Sequence, residues 1–255
     1  TQNNLANAYS DRIRGERAEN LEQAIAACEA ALQVYTRSAF PQQWATTQNN
    51  LANAYRDRIL GERAENLEQA IAACEAALQV YTRSAFPQQW ARTQNNLGGA
   101  YYDRIRGERA ENLEQAIAAC EAALQVYTRS AFPQQWATMQ NNLANAYSDR
   151  IRGERAENLE QAIAACEAAL QVRTRSAFPQ QWADTQNNLA IAYSERIRGE
   201  RAENLEQAIA AYQAALQVRT RSAFPQQWAR TQNNLANAYS DRIRGERAEN
   251  LEQAI

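Results

Sequence analysis

The sequence contains no histidine and no lysine, and only one methionine, four cysteines, five prolines and eight glycines among 255 residues. Without His and Lys, the commonest general base, the Schiff-base amine and the usual zinc ligand are all missing. The carboxylates recur at fixed places, and no segment gathers a unique acid–base pair. No glycine-rich loop precedes a helical pattern, so no phosphate cradle is expected. These absences predict a chain that is not an enzyme and that holds no metal or cofactor. No apolar run approaches the ~18 residues of a membrane helix, and Thr1 to Ser10 do not resemble a signal peptide. A net charge of -2 gives no general attraction to nucleic acid or to an anionic membrane. Sparse Gly and Pro beside abundant Ala, Leu, Glu, Gln and Arg is a helical composition.

What is present is one unit, repeated. The segment TQNNLANAY starts at Thr1 and Thr47, and matching segments start at Thr93, Met139, Thr185 and Thr231. Residues 1–255 therefore read as a single array of five 46-residue units and a partial sixth. The end falls partway through a unit, as in a segment cut from a longer array. Self-similarity at this period predicts stacked supersecondary units.

The repeat from Phe40 to Phe86 shows the anatomy. Pro41 opens a first helix, where its missing N–H costs nothing. The periodic pattern continues to Leu60, with Trp44, Leu51, Tyr55 and Ile59 on one face, and Gly61 is the C-cap signal. Asn66 and Gln69 form a capping-box-like pair for a second helix from Leu67 to about Tyr81. Ala70, Ala72, Ala73, Ala76 and Ala77 spread around that helix, which predicts close neighbours on most sides. Cys28, Cys74, Cys120 and Cys166 share one place in successive repeats. Their expected separation exceeds the ~7 Å limit for a disulfide, and Tyr212 takes the same place in the fifth repeat. They are expected to pack as free thiols, in a reducing, cytoplasmic setting.

The chain resembles the tetratricopeptide repeat family in Leu51-Ala52-x-x-Tyr55 and in Ala70-Ile71-x-x-Cys74-x-x-Ala77-Leu78. The match recurs in every complete repeat. The unit exceeds the common 34-residue form by twelve residues, near the end of the first helix and around Phe86-Pro87-Gln88-Gln89-Trp90. The Asn-Asn-Leu-Ala string is similar to the longer repeats of kinesin light chains and bacterial signalling arrays. The resemblance implies an all-α fold, an α-solenoid of antiparallel helical hairpins wound as a right-handed superhelix. It also implies a concave groove, lined by the first helices, that binds a protein or peptide.

Comparison of the repeats points to one face. On a wheel at 100° per residue, Thr46, Asn53, Arg56 and Leu60 lie within about 40° of the direction opposite Leu51. These positions differ along the array: Thr46 becomes Arg92, Thr138, Asp184 and Arg230; Asn53 becomes Gly99, Asn145 and Ile191; Arg56 becomes Tyr102 and then serine. Glu62, Glu65, Glu68 and Gln79 never change, which speaks against free drift of every exposed position. The Tyr81 place becomes Arg173 and Arg219, which speaks for some drift. The groove candidates are Asn49, Asn50, Asn53, Arg56, Arg92, Asn95, Asn96, Gly99, Tyr102, Asn141, Asn145, Asp184, Asn187 and Ile191. A carboxamide both donates and accepts, so the repeated asparagines suit two roles: gripping a peptide backbone, or bridging neighbouring repeats as a ladder. Gly98 and Gly99 are read as a notch walled by Tyr102, with Arg56 and Arg92 favouring an acidic ligand. The edge Asp103-Arg104-x-Arg106-Gly107-Glu108-Arg109-x-Glu111 is read as ion pairs that fix the register of stacking.

Three functional classes follow. The first is a non-catalytic peptide- or protein-binding scaffold. The second is a structural, engineered or recently duplicated array with no dedicated ligand and weak self-association through its ends. The third is a modular RNA reader, disfavoured by the acidic balance. Neither nucleic acid nor membrane is an expected partner.

Overall fold

In the computed structural model, residues 15–242 are described without interruption, together with residues 5, 6, 8, 9, 245, 249, 252 and 253. By backbone contacts the chain divides into two compact halves, Thr1–Tyr127 and Thr128–Ile255. Among the described residues there are ten long helices and no strand. The N-terminal half holds α1 (Arg17–Leu32), α2 (Pro41–Asp57), α3 (Arg63–Leu78), α4 (Pro87–Asp103) and α5 (Arg109–Leu124). The C-terminal half holds α6 (Pro133–Asp149), α7 (Arg155–Leu170), α8 (Pro179–Glu195), α9 (Arg201–Leu216) and α10 (Pro225–Ser240). The fold is an all-α solenoid of helical hairpins, in which α2 pairs with α3, α4 with α5, α6 with α7 and α8 with α9.

Stacking within each half is asymmetric. Each second helix packs on the next first helix, as α3 does on α4 and α7 on α8. Successive first helices also touch, α2 with α4, α6 with α8 and α8 with α10, whereas no such contact joins α3 to α5 or α7 to α9. First helices are therefore on the more closely spaced side of the stack.

Both predicted helix boundaries move. Each first helix starts at its proline, but α2 stops at Asp57, three residues short of Leu60, and Ile59 is 58% exposed in the loop instead of on the apolar face. Tertiary bonds end the helix. The Arg58 guanidinium leaves to meet Glu22 of the preceding repeat, and Asn66 Nδ2 donates to the Leu60 carbonyl at 2.9 Å. Gly61 reverses the chain within that loop at φ +79°, beyond the helix end, in a region that costs other residues energy. Asn66 is accordingly not a cap: α3 begins at Arg63, and Asn66 is buried with its amide spent on the loop. Gln69 donates to Glu65 instead of closing a capping box. The helix ends at Leu78, and Tyr81 is buried just past it, edge-on to Phe86.

The core is thin and made largely of small side chains. Leu67, Ala70, Ile71, Ala73, Cys74 and Ala77 are buried along α3. Ala72 is exposed, in line with Glu65, Gln69, Glu75 and Gln79, so the second helix keeps a solvent stripe and is not wedged on all sides. The four cysteines are buried free thiols, and burial pushes each up to about 12. They stay protonated and inert at neutral pH.

Candidate functional site

The first helices present three kinds of predicted groove residue, and packing separates them. The asparagine pair comes first. Asn49, Asn96, Asn141 and Asn187 are buried. Asn96 Nδ2 donates to Asn49 Oδ1 of the preceding repeat at 3.1 Å, and Asn188 Nδ2 donates to Asn141 Oδ1 at 3.3 Å. Thr185 Oγ1 donates to Asn141 Oδ1 at 3.0 Å, and Thr231 Oγ1 to Asn187 Oδ1 at 3.1 Å. These amides form a ladder sealed between adjacent repeats, so Asn49, Asn96, Asn141 and Asn187 are not available to an incoming peptide. Asn50 stands in the same row as Asn96 and Asn188, and Asn95 donates to Asn96 at 3.4 Å. On its own helix Asn49 lies about 160° from Leu51, opposite the apolar stripe. The neighbouring first helix covers it and supplies a donor to its Oδ1, while the Nδ2 groups of Asn49 and Asn50 are buried without a hydrogen-bond partner among the described residues.

The second kind is the predicted notch. An added Cβ on Gly98 would sit 3.2 Å from the Ala116 carbonyl and 3.3 Å from Cys120 Sγ. Gly98 therefore faces the second helix and permits close packing there. A Cβ on Gly99 would meet the Arg56 guanidinium at 2.5 Å. The space left by Gly99 is filled by Arg56, whose Nε donates to Asp103 at 3.0 Å. Arg56 is neutralised across the repeat boundary and is not the free cation expected for an acidic ligand. Tyr102 has the Arg109 guanidinium 5.0 Å over its ring.

The third kind is exposed. Asn53, Arg92 and Asp184 face solvent, and Asn145 and Ile191 are half-buried. Two clefts border this face. One of about 350 Å³ lies between the starts of α2 and α4, lined by Gln42, Thr46, Gln88, Arg92 and the rings of Tyr81 and Tyr127. The other, about 250 Å³, lies between α8 and α10, lined by Ile191, Ser194, Tyr212, Arg230, Asn234 and Asn237.

The invariant acids have a structural reason to stay. Glu68 accepts from Arg104 Nε at 2.8 Å and Nη2 at 2.7 Å, while Tyr101 Oη donates to Glu75 at 3.1 Å. Arg104 also lies 5.8 Å over the Tyr101 ring. The same clasp joins Arg58 and Tyr55 to Glu22 and Glu29, and Arg196 and Tyr193 to Glu160 and Glu167. Arg106 pairs with Glu65 at 2.9 Å, and Arg83 donates to Gln125. The arginine hydrogen bonds hold Glu22, Glu68 and Glu160 below the ordinary carboxylate range. Each pair is worth only ~0–1 kcal/mol, yet repetition fixes the stacking register. The fixed acids therefore lend no weight to a ligand-tuned groove, because inter-repeat pairing already explains them.

The residue at the Tyr81 place faces the residue at the Thr46 place, and both change together only at Asp184 and Arg219. Tyr81 Oη donates to the Gln42 carbonyl at 3.1 Å and shares a hydrogen bond with Thr46. Arg173 instead donates to Thr138 at 3.1 Å, and Arg219 donates to Asp184 at 2.7 Å. Asp184 is thus the counter-ion of a buried guanidinium before it is a groove residue. The one sequence signal of this contact is the joint appearance of Asp184 and Arg219, since the other pairs, Thr–Tyr, Arg–Tyr and Thr–Arg, do not vary together.

The tetratricopeptide repeat profile matches residues 1–34, 44–80, 90–126, 136–174, 182–220 and 228–255. The chain belongs to the tetratricopeptide repeat family. Among solved structures, the crystal structure of BtubC (BKLC) from P. vanneervenii is similar at a TM-score of 0.59 and 19% identity, covering 92% of this chain and 86% of that one. At that identity the likeness is one of fold. No curated protein sequence matches the chain. Tetratricopeptide repeats generally mediate protein–protein interaction or scaffolding, and the family and its solenoid fold are typically non-catalytic. Among the described residues of this tetratricopeptide array, no helix is long and apolar enough to cross a membrane. Among the described residues, no group of three or more Cys, Asp or Glu is placed to hold a metal ion.

Proposed function

We propose that the chain is a scaffold that binds an extended peptide segment of a partner protein along the exposed face of its first helices. The supporting observation is the cleft of about 250 Å³ between α8 and α10, where Ile191 adds an apolar wall to the amides of Asn234 and Asn237. Ile191 breaks the Asn pattern of its row, and an aliphatic chain among amides suits a peptide with one apolar anchor. Asn53, Arg92, Tyr102 and Asn145 belong to the same reading, each within its own half. The buried asparagines contribute by holding the first helices in register, not by contact with the ligand.

A peptide library selected against the intact chain tests this reading. Selected peptides should lose roughly tenfold or more in affinity with Ile191→Asp or Asn237→Asp, and keep it with Gln115→Ala on a second helix. Equal binding by all three variants would overturn the groove. Selection of nothing would favour the purely structural array, which the pairing of Asp184 with Arg219 also suits.

A further inference from the structure

Arg173 and Arg219 occupy the same place in successive repeats, and both are buried, at 8% and 9% exposure. Their surroundings match on one arm of the guanidinium. Arg173 Nη1 donates to Thr185 Oγ1 at 3.0 Å, and Arg219 Nη1 donates to Thr231 Oγ1 at 2.7 Å. The other arm differs. Arg219 Nη2 meets the Asp184 carboxylate at 2.7 Å, whereas Arg173 Nη2 meets only the Thr138 hydroxyl at 3.1 Å. That hydroxyl donates its own proton to the Gln134 carbonyl at 3.0 Å, so it offers lone-pair density and no charge. No carboxylate among the described residues forms an ion pair with Arg173. Asp184 acts on it only through space, and burial pulls the guanidinium below its ordinary range. One carboxylate thus serves two buried cations, and an arginine cannot shed its charge to escape.

The cleft beside Arg173 is correspondingly roomier. It measures about 110 Å³ and is lined by Gln134, Thr138, Val172, Arg173, Phe178 and Gln181. Its counterpart beside Arg219 measures about 80 Å³ and contains Asp184. The larger volume is several times the share of one water, room for a carboxylate group.

We propose that the cleft at Thr138 and Arg173 binds a carboxylate, which takes the place that the Asp184 side chain fills one repeat later. The Asp184–Arg219 pair is the internal copy of that complex. A charge-assisted contact of this kind is about twice as strong as a neutral one, and Val172 and Phe178 line the cleft beside it. The site stands on these contacts alone and does not need the peptide-groove reading.

Two sources could present the carboxylate: a free small acid, or a glutamate side chain of a peptide. The intact chain is melted in sodium acetate and in sodium chloride at matched ionic strength. It is also melted with N-acetyl-Ala-Glu-Ala-amide and with the Gln counterpart. Arg173→Tyr is the reference variant, because it recreates the Tyr81–Thr46 pairing and should fold. Relative to that reference, saturating acetate should raise the wild-type melting temperature by roughly 2–4 °C. Thr138→Asp should raise the melting temperature in chloride and abolish the acetate increment, since the carboxylate is then supplied within the chain. A response to the Glu peptide but not to acetate keeps the site and assigns it a side-chain ligand. An acetate increment equal in wild type, Arg173→Tyr and Thr138→Asp, with no Glu-over-Gln preference, would overturn the proposal, as would no response to any probe.

Discussion

The two halves of the chain share a hairpin but handle one position differently. In the N-terminal half the residue just past the second helix is Tyr81 or Tyr127, whose hydroxyls reach the Gln42 and Gln88 carbonyls at 3.1 Å. A cleft of about 350 Å³ remains beside the two rings. In the C-terminal half the residue is Arg173 or Arg219, which extends further, bonds the threonine of the next first helix, and leaves clefts of about 110 and 80 Å³. The backbone is the same in both. A tyrosine there needs one acceptor, and a main-chain carbonyl suffices. A guanidinium needs charge, so the facing residue must follow, and it does so at Asp184 but not at Thr138. Variation that reads as drift position by position has a paired reason at Asp184 and Arg219, where carboxylate and guanidinium meet at 2.7 Å.

The comparison can be broken at the core first. Leu67 and Leu159 are equivalent and fully buried. Each truncation to Ala should cost about 2–5 kcal/mol, and the two should agree within the error of urea denaturation. Unequal costs would mean that the halves differ in their cores and not only at the Tyr/Arg place.

A smaller effect sharpens the contrast itself. Asp184→Thr leaves Arg219 buried without its carboxylate and should cost about 1–3 kcal/mol, less than a fully buried pair because Asp184 is itself half exposed. Adding Arg219→Tyr restores the N-terminal pairing of Tyr with Thr. The double variant should therefore be more stable than the sum of the single changes, measured by the same denaturation. Strict additivity would show that the two rows are not coupled.

The smallest effect should be common to both halves. Glu22, Glu68 and Glu160 bind protons less readily when folded, because the arginine hydrogen bond favours the carboxylate. Their contribution is complete above the ordinary carboxylate value of 4.5 and is lost as pH falls through the lower folded values. Glu68→Gln and Glu160→Gln should each flatten the acid limb of a stability–pH curve by less than about 1 kcal/mol. A change in the neutral region instead would assign these residues a different role.

Much of the fold was legible from residues alone. Pro41 and its copies set the helix starts, and the Leu67, Ile71, Cys74 spacing set the buried face. Helix ends were not legible, because Arg58 and Asn66 stop α2 by bonds to other segments that no local pattern contains. The candidate site was half legible. Asn53, Arg92, Asn145 and Ile191 keep their expected access to solvent or to clefts, while Asn49, Asn141 and Asn187 do not. Arg56 and Gly99 proved to be two halves of one fit, a guanidinium over a missing side chain. In the sequence the change from Tyr81 to Arg173 reads as drift and Thr138 as a groove position, because their meaning lies in contacts 35 residues apart.

Periodicity by itself fixed that this chain is a file of helical hairpins with small-residue seams, since period and composition leave an amphipathic hairpin few other ways to hide its apolar face. Tertiary packing alone decided which polar groups the next repeat would cover. A helical wheel knows the direction of a side chain but not what lies there, and a buried amide or guanidinium is tolerated only where a neighbour supplies its partner.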